Sequence, residues 1–158
     1  SHVGLGSSID LENKPHKMYS GENSSALING IGGSVNYRDP SWQGFEGEYL
    51  IATVDLGKEK ILNHIRVRFL QDQVVWIFLP KIIQIEHSID GINFELAYEF
   101  YPDNSFSYDQ GIFEYSVELN NIKSKYVRVK GININECPDF HPGAGGPSWV
   151  FADEIIIK

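Results

Sequence analysis

Along most of this chain apolar and polar residues alternate with a period of two, the pattern of strands buried on one face. In the run 61–70, Ile65, Val67 and Phe69 alternate with Arg66 and Arg68. One face is apolar and the other charged, as in a half-exposed antiparallel strand. The run 125–134 repeats the pattern, with Val127 and Val129 beside Arg128 and Lys130. Further strands are predicted over 49–56, 81–88, 93–99, 112–119 and 150–157, and no segment holds a helical period beyond a turn or two. Asp55-Leu56-Gly57-Lys58 reads as a turn ending the first strand, and Asp90-Gly91 is the strongest hairpin signal. About seven main strands with irregular connections predict an all-β antiparallel sandwich.

This spacing leaves three long loops, 20–48, 70–80 and 135–149. Long ordered loops on a rigid scaffold are where binding resides. These hold all three tryptophans, Trp42, Trp76 and Trp149, together with Tyr37, Arg38, Phe45, Gln71 and His141. Sugar recognition needs a flat apolar platform for the C–H face of the ring and short polar groups for its hydroxyls. Trp76, Trp149, Trp42, Phe45 and Tyr37 are candidates for the platform; His141, Gln71, Gln73, Asp72, Arg38 and Asn36 are candidates for the hydrogen bonds. The favoured ligand-binding set is Trp76, Trp149, His141, Gln71, Arg38 and Tyr37. Trp76, in the run VVWIFLP, reads equally as a buried strand edge, and a lone loop histidine such as His141 is more often structural.

A length of 158 residues with 42% hydrophobic content sustains one globular core. Residues 1–8 read as linker, leaving 9–158 as a single domain. With 13 basic against 21 acidic residues the net charge is -8, which repels phosphate backbones and anionic bilayers. No apolar run reaches the roughly 20 residues of a membrane span, so neither nucleic acid nor membrane insertion is expected. Cys137 is the only cysteine, which excludes an internal disulfide. The N-terminal residues lack a signal-peptide pattern and fit a piece of a longer protein.

Several fragments in order, "TVDLG…ILNHIRVRF", "IEHSIDGINFELA", "KYVRVKGI" and "FADEIIIK", resemble the discoidin, or coagulation-factor C-type, domain, whose bacterial members include the family 32 carbohydrate-binding modules. The resemblance spans about residues 19–158. The segments "ALINGIGGSVNYRDPSWQGFEG" and "CPDFHPGAGGPSWVFADEI" are similar to modules at the C-terminal end of family 20 glycoside hydrolases, the β-N-acetylhexosaminidases or chitobiases. The resemblance implies a jelly-roll-like sandwich of about eight core strands, with Trp42 as a structural anchor under the first loop. It implies a non-catalytic module of a periplasmic, cell-surface or secreted hydrolase. Its partners would be an N-acetylhexosamine- or galactose-type glycan and the catalytic domain of the same polypeptide. The alternative is a structural accessory domain that packs on the catalytic domain and binds no sugar.

The resemblance also implies one structural calcium ion between the first long loop and the last strand. Asn29, Ser34 and Glu154 stand at the matching positions, with carbonyls of the 26–34 loop completing an oxygen shell. Asn29 replaces the more common Asp and removes one negative charge. Asp153 and Glu154 are adjacent, like the catalytic pair of family 20 enzymes, but neighbours on a regular strand point to opposite faces. No nucleophile elbow, phosphate loop or zinc spacing accompanies them, so no activity is expected of this fragment. Asn23-Ser24-Ser25 matches a glycosylation acceptor motif and carries little weight.

Overall fold

The computed structural model describes residues 2–158. Seven strands form one antiparallel hydrogen-bonded set: β1 (Ser8–Leu11), β2 (Gln43–Glu46), β3 (Leu50–Gln71), β4 (Ile82–Ser88), β5 (Glu95–Phe100), β6 (Gly111–Ile132) and β7 (Trp149–Ile157). Their order is β2-β7-β3-β6-β4-β5, with β1 on β3. Three short 3₁₀ turns are the only helical elements among the described residues.

Two strands of 22 residues turn this set into two layers. The first part of β3 pairs with the last part of β6, from Leu50↔Gly131 to Asp55↔Tyr126, and after a register shift Lys60↔Ser124 to Gln71↔Gly111 follow. The chain bends at Gly57 (φ +84°) in β3 and at Asn121 (φ +49°) in β6. Glycine tolerates this left-handed conformation without a Cβ clash, and asparagine adopts it more readily than most residues. The sequence pattern had separated 49–56 from 61–70, and 112–119 from 125–134; each pair is instead one continuous bent strand. β1, β4 and β5 extend the layer holding the first part of β3, and β2 and β7 extend the other.

The inner faces meet in a single core. Ala52, Val54, Ile83, Ile85, Val127 and Val129 come from one layer, and Phe45, Ile65, Val67, Phe69, Ala152, Ile155 and Ile157 from the other. A smaller cluster of Trp42, Leu70, Ile77 and Phe151 lies on the outer side of the second layer, under Tyr19, Tyr37 and Trp149. Strands β1 and β2 lacked a legible sequence signal: each has only four residues, and β2 sits inside the expected 20–48 loop. Residues 2–8, read as linker, are tied to the body: Val3 N donates to Ile157 O at 2.7 Å, and Ser8 pairs with Asp55.

The registers place the connections 47–49, 72–81, 101–110 and 133–148 at one end of the sandwich, beyond Leu50, Gln71, Phe100, Gly111, Ile132 and Trp149. The Asp90-Gly91 turn joins β4 to β5 at the opposite end. The Asp90 carboxylate accepts from the amides of Ile92 and Asn93, both at 2.8 Å.

Candidate functional site

At the loop end, side-chain amides fasten the loops to one another. Asn133 Nδ2 faces the carbonyls of Phe45, Glu48 and Ser148 at 3.4, 3.2 and 3.1 Å, while its Oδ1 accepts from Ser148 Oγ at 2.6 Å and Asn135 N at 2.7 Å. Gln73 donates to Ser105 O at 2.9 Å and accepts from Ser107 N at 3.1 Å, and Asn104 bonds both backbone groups of Leu79. Gln110 donates to Asp72 at 3.0 Å. The 101–110 connection, which the strand pattern did not single out, is thereby clamped onto the 72–81 loop.

The candidate residues from the sequence divide among three settings. His141 is 6% exposed and faces inward: Nε2 donates to Gln73 O at 2.6 Å and Nδ1 accepts from Gly143 N at 2.9 Å. These partners leave neither ring nitrogen free, so this histidine positions the loops. Trp76 is half-buried in a left-handed conformation (φ +73°). Its indole lies edge-on to His141 at 5.8 Å and against Gly143, where an added Cβ would come within 2.4 Å of the ring. Trp149 packs with His16 and Tyr19 at 5.2 and 5.4 Å, on the outer cluster. Tyr37 joins the same cluster and carries the Arg38 guanidinium over its ring at 4.8 Å. Gln71 is buried at the end of β3, paired with Gly111. Trp42 is buried below the first loop, with its indole N–H donating to Ser34 O at 2.8 Å.

The most exposed aromatics beside these residues come from the 101–110 connection, joined by Phe140 of the 133–148 loop. Tyr108 is 75% and Phe106 51% exposed, in edge-to-face contact at 4.5 Å, and Phe140 abuts Phe106 at 5.7 Å. The available signal was the density of aromatic and polar residues in "FYPDNSFSYDQG". Two depressions adjoin across Val74 and Tyr108. One, of about 140 Å³, is a mostly apolar cleft between Val74, Trp76, Phe106, Tyr108 and Pro142, with Gln73, Ser107 and His141 also on its walls. The other, open and about 670 Å³, presents Asn36, Tyr37, Arg38, Asp72, Asp109 and Gln110. Apolar platform and convergent polar groups thus lie side by side.

A second feature lies where β7 departs from regular pairing. Arg68 opposes Glu154 but Phe69 opposes Ala152, so Asp153 is an extra residue in a β-bulge. The expectation that Asp153 and Glu154 face opposite sides fails for this reason, since the bulge turns both away from the main core. They are 0% and 2% exposed beneath the 26–34 loop, closed off from any substrate. Asp153 Oδ2 accepts from Gly33 N at 2.6 Å and lies 3.2 Å from Arg68 Nη2. Its Oδ1 and both oxygens of Glu154 make no well-formed hydrogen bond, although the backbone amides of Gly30 and Ile31 lie near enough to Glu154 to favour its charged form. Burial pushes the Asp153 carboxyl up to about 6. Burial, and then the neighbouring Asp153 charge, push Glu154 up to about 8.

Buried carboxyl oxygens without a well-formed hydrogen bond are the chemistry a hard cation satisfies, whereas the nearby Gly30 and Ile31 amides favour the Glu154 carboxylate without one. Among the described residues no three His, Cys, Asp or Glu side chains converge, so backbone and amide oxygens would have to complete a shell. Asn29 Oδ1 accepts from Ile31 N at 2.8 Å within its own turn. Ser34 is exposed, its Oγ accepting from Asn36 N at 3.3 Å and its amide donating to Asp39. Asp153, absent from the expected ligand set, shares the Glu154 pocket.

No family model matches the chain, and no curated protein matches it in sequence. Solved structures do share its fold. A chitosan-binding module derived from a chitosanase/glucanase of Paenibacillus sp. IK-5 superposes with a TM-score of 0.66 at 16% identity, over 100% of this chain and 98% of that one. A family 32 carbohydrate-binding module of Clostridium perfringens, in complex with GalNAc-β-1,3-galactose, gives 0.58 at 18% identity, covering 99% of each chain. A fucose-binding module of Streptococcus pneumoniae gives 0.61 at 13% identity over 100% of this chain and 97% of that one. The chain therefore has the β-sandwich fold of carbohydrate-binding modules from end to end.

Proposed function

We propose that this chain is a non-catalytic carbohydrate-binding module, with its ligand held at the loop end against Tyr108 and Phe106. The observation carrying this reading is the solvent-facing Tyr108–Phe106 pair beside the polar groups of Arg38, Asn36, Asp109 and Gln110. The two rings pack on one another and, through Phe106, on Phe140, yet both keep half or more of their surface in solvent. They offer the flat apolar surface that a pyranose face requires. The three neighbours, named for chitosan, a GalNAc-galactose disaccharide and fucose, support a glycan as the ligand class. Burial of His141 is what the accessory-domain reading expects, and that reading would use Tyr108 and Phe106 as a patch facing the catalytic domain; the polar groups beside the two rings favour a sugar instead.

The parent polypeptide is proposed to be a glycoside hydrolase acting outside the cytoplasm on N-acetylhexosamine-containing glycans. Its support is the family 20 likeness of the first and last loops and the origin of one neighbour in a chitosanase/glucanase. A calcium ion is proposed to sit between the 26–34 loop and β7, held by Glu154 with Asp153, Asn29 and loop carbonyls, where it would neutralise the buried acids. A glycan titration of the chain followed by tryptophan fluorescence tests the binding reading, with Tyr108→Ala as control. Saturable binding lost in that variant supports it, and silence across N-acetylhexosamine, galactose and fucose ligands overturns it.

A further inference from the structure

We infer that the glycan held here is N-acetylated and that the small cleft beside Tyr108 takes the acetamido branch; this rests on the carbohydrate-binding reading above. The two depressions differ in chemistry. Arg38, Asp72 and Asp109 all lie in the open one, whereas no charged side chain lines the cleft. The polar groups inside the cleft are largely committed already. The Gln73 amide is spent on Ser105 and Ser107, and both His141 nitrogens are taken by Gln73 O and Gly143 N. What remains facing inward is the surface of Val74, Trp76, Phe106 and Pro142, with the Tyr108 ring at the rim and one hydroxyl, that of Ser107, whose Oγ accepts from Asp109 N at 3.1 Å.

Such a cleft rewards a methyl group and penalises an ammonium, which would lose its water without gaining a charged acceptor. Its volume of about 140 Å³ lies well below the roughly 300 Å³ at which pockets begin to enclose a whole ligand. It suits a short branch of a sugar whose ring and hydroxyls rest in the wider polar depression across Tyr108. The overall charge of -8 works the other way, since it attracts a polycationic amino sugar. Comparing acetylated and free amines on one backbone therefore separates local fit from bulk charge.

The experiment is calorimetric titration of the chain with chitin oligosaccharides and with fully deacetylated chitosan oligosaccharides of equal length, in buffer at physiological ionic strength. Acetylated ligands are expected to bind at least about tenfold more tightly, the discrimination an apolar pocket typically gives for one added methyl-sized group. Phe106→Ala should bring the ratio towards one, and Val74→Glu, which sets a carboxylate at the cleft mouth, should invert it. Both positions are exposed, so the variants are expected to fold, which unfolding curves verify. Equal or tighter binding of chitosan overturns the inference and leaves the carbohydrate reading standing, as does binding of galactose or fucose ligands with chitin silent. Silence of every sugar overturns the carbohydrate reading itself.

Discussion

Asn133 offers the most exacting test of how the loop end is held together. Its side chain is 1% exposed and joins the end of β2, the 47–49 turn and the start of β7 through five contacts between 2.6 and 3.4 Å. Asn133→Ala deletes the amide and strands Ser148 Oγ, the Asn135 amide and carbonyls that Nδ2 served. Ser148 is itself fully buried, so water does not readily replace the lost partner. A net hydrogen bond contributes about 1 kcal/mol, and each buried group left unmet costs about 1–3 kcal/mol. Two bonds to Oδ1 and the shorter bonds from Nδ2, partly offset by relaxation, give a loss of about 3–4 kcal/mol. For a domain of this size that lowers the midpoint by roughly 6–16 °C. Urea unfolding followed by far-ultraviolet circular dichroism measures it, with an unchanged m-value showing that the unfolded state is not the cause. A loss below about 1 kcal/mol would falsify the view that this amide clamps the loops. Asn133→Asp, which sets a buried acidic oxygen against the three carbonyls that Nδ2 faces, is expected to cost at least as much as the alanine variant at neutral pH.

Other outcomes follow from the same structure. Glu86 is buried; burial alone would raise its carboxyl, but hydrogen bonds from Arg128 at 3.2 and 2.9 Å and the Lys130 charge hold it below the ordinary glutamate range. Its stabilisation is therefore complete above the unfolded-state value near 4.5 and lost as pH falls through the lower folded value. Glu86→Gln should be less stable by about 1.5–3 kcal/mol at pH 7, the worth of hydrogen bonds to a charged group, with the gap closing below about pH 4; a gap independent of pH contradicts this. Calcium at about one hundred times its dissociation constant should raise stability by about 2.7 kcal/mol, an effect that Glu154→Gln abolishes; identical melting curves in calcium and chelator refute the cation site. Gly143→Val forces a side chain into the Trp76 indole, whose nearest atom is 2.4 Å from a built Cβ. It should cost about 1–3 kcal/mol and shift tryptophan emission, and a spectrum identical to the parent's contradicts the packing described.

The strands were legible in the sequence wherever burial is one-sided, because a period of two is the direct imprint of a half-buried strand. The bends at Gly57 and Asn121 were not, since a turn that ends a strand and a kink that continues it use the same residues. The bulge at Asp153 was equally hidden: a one-residue register slip leaves composition unchanged yet sets two neighbouring acids on one side. For the loops, aromatic content marked the right end of the molecule but not the right rings. Trp76 and Trp149 are the larger rings, and the surrounding loops pack against them, whereas Tyr108 and Phe106 lie on a connection held from beneath by Gln73 and Asn104. Exposure of a given aromatic depends on these long-range hydrogen bonds, which local spacing does not reveal.

The most direct test of the carbohydrate-binding reading is titration of a glycan panel into the chain and its Tyr108→Ala variant, at matched folded fractions. Tyr108 is largely solvent-exposed, so its truncation should leave stability within about 0.5 kcal/mol. Affinity for the best glycan should fall at least about fivefold, as expected when an anchoring aromatic is removed from a binding surface. Undiminished binding by the variant, or no binding by the parent chain, would contradict the assignment.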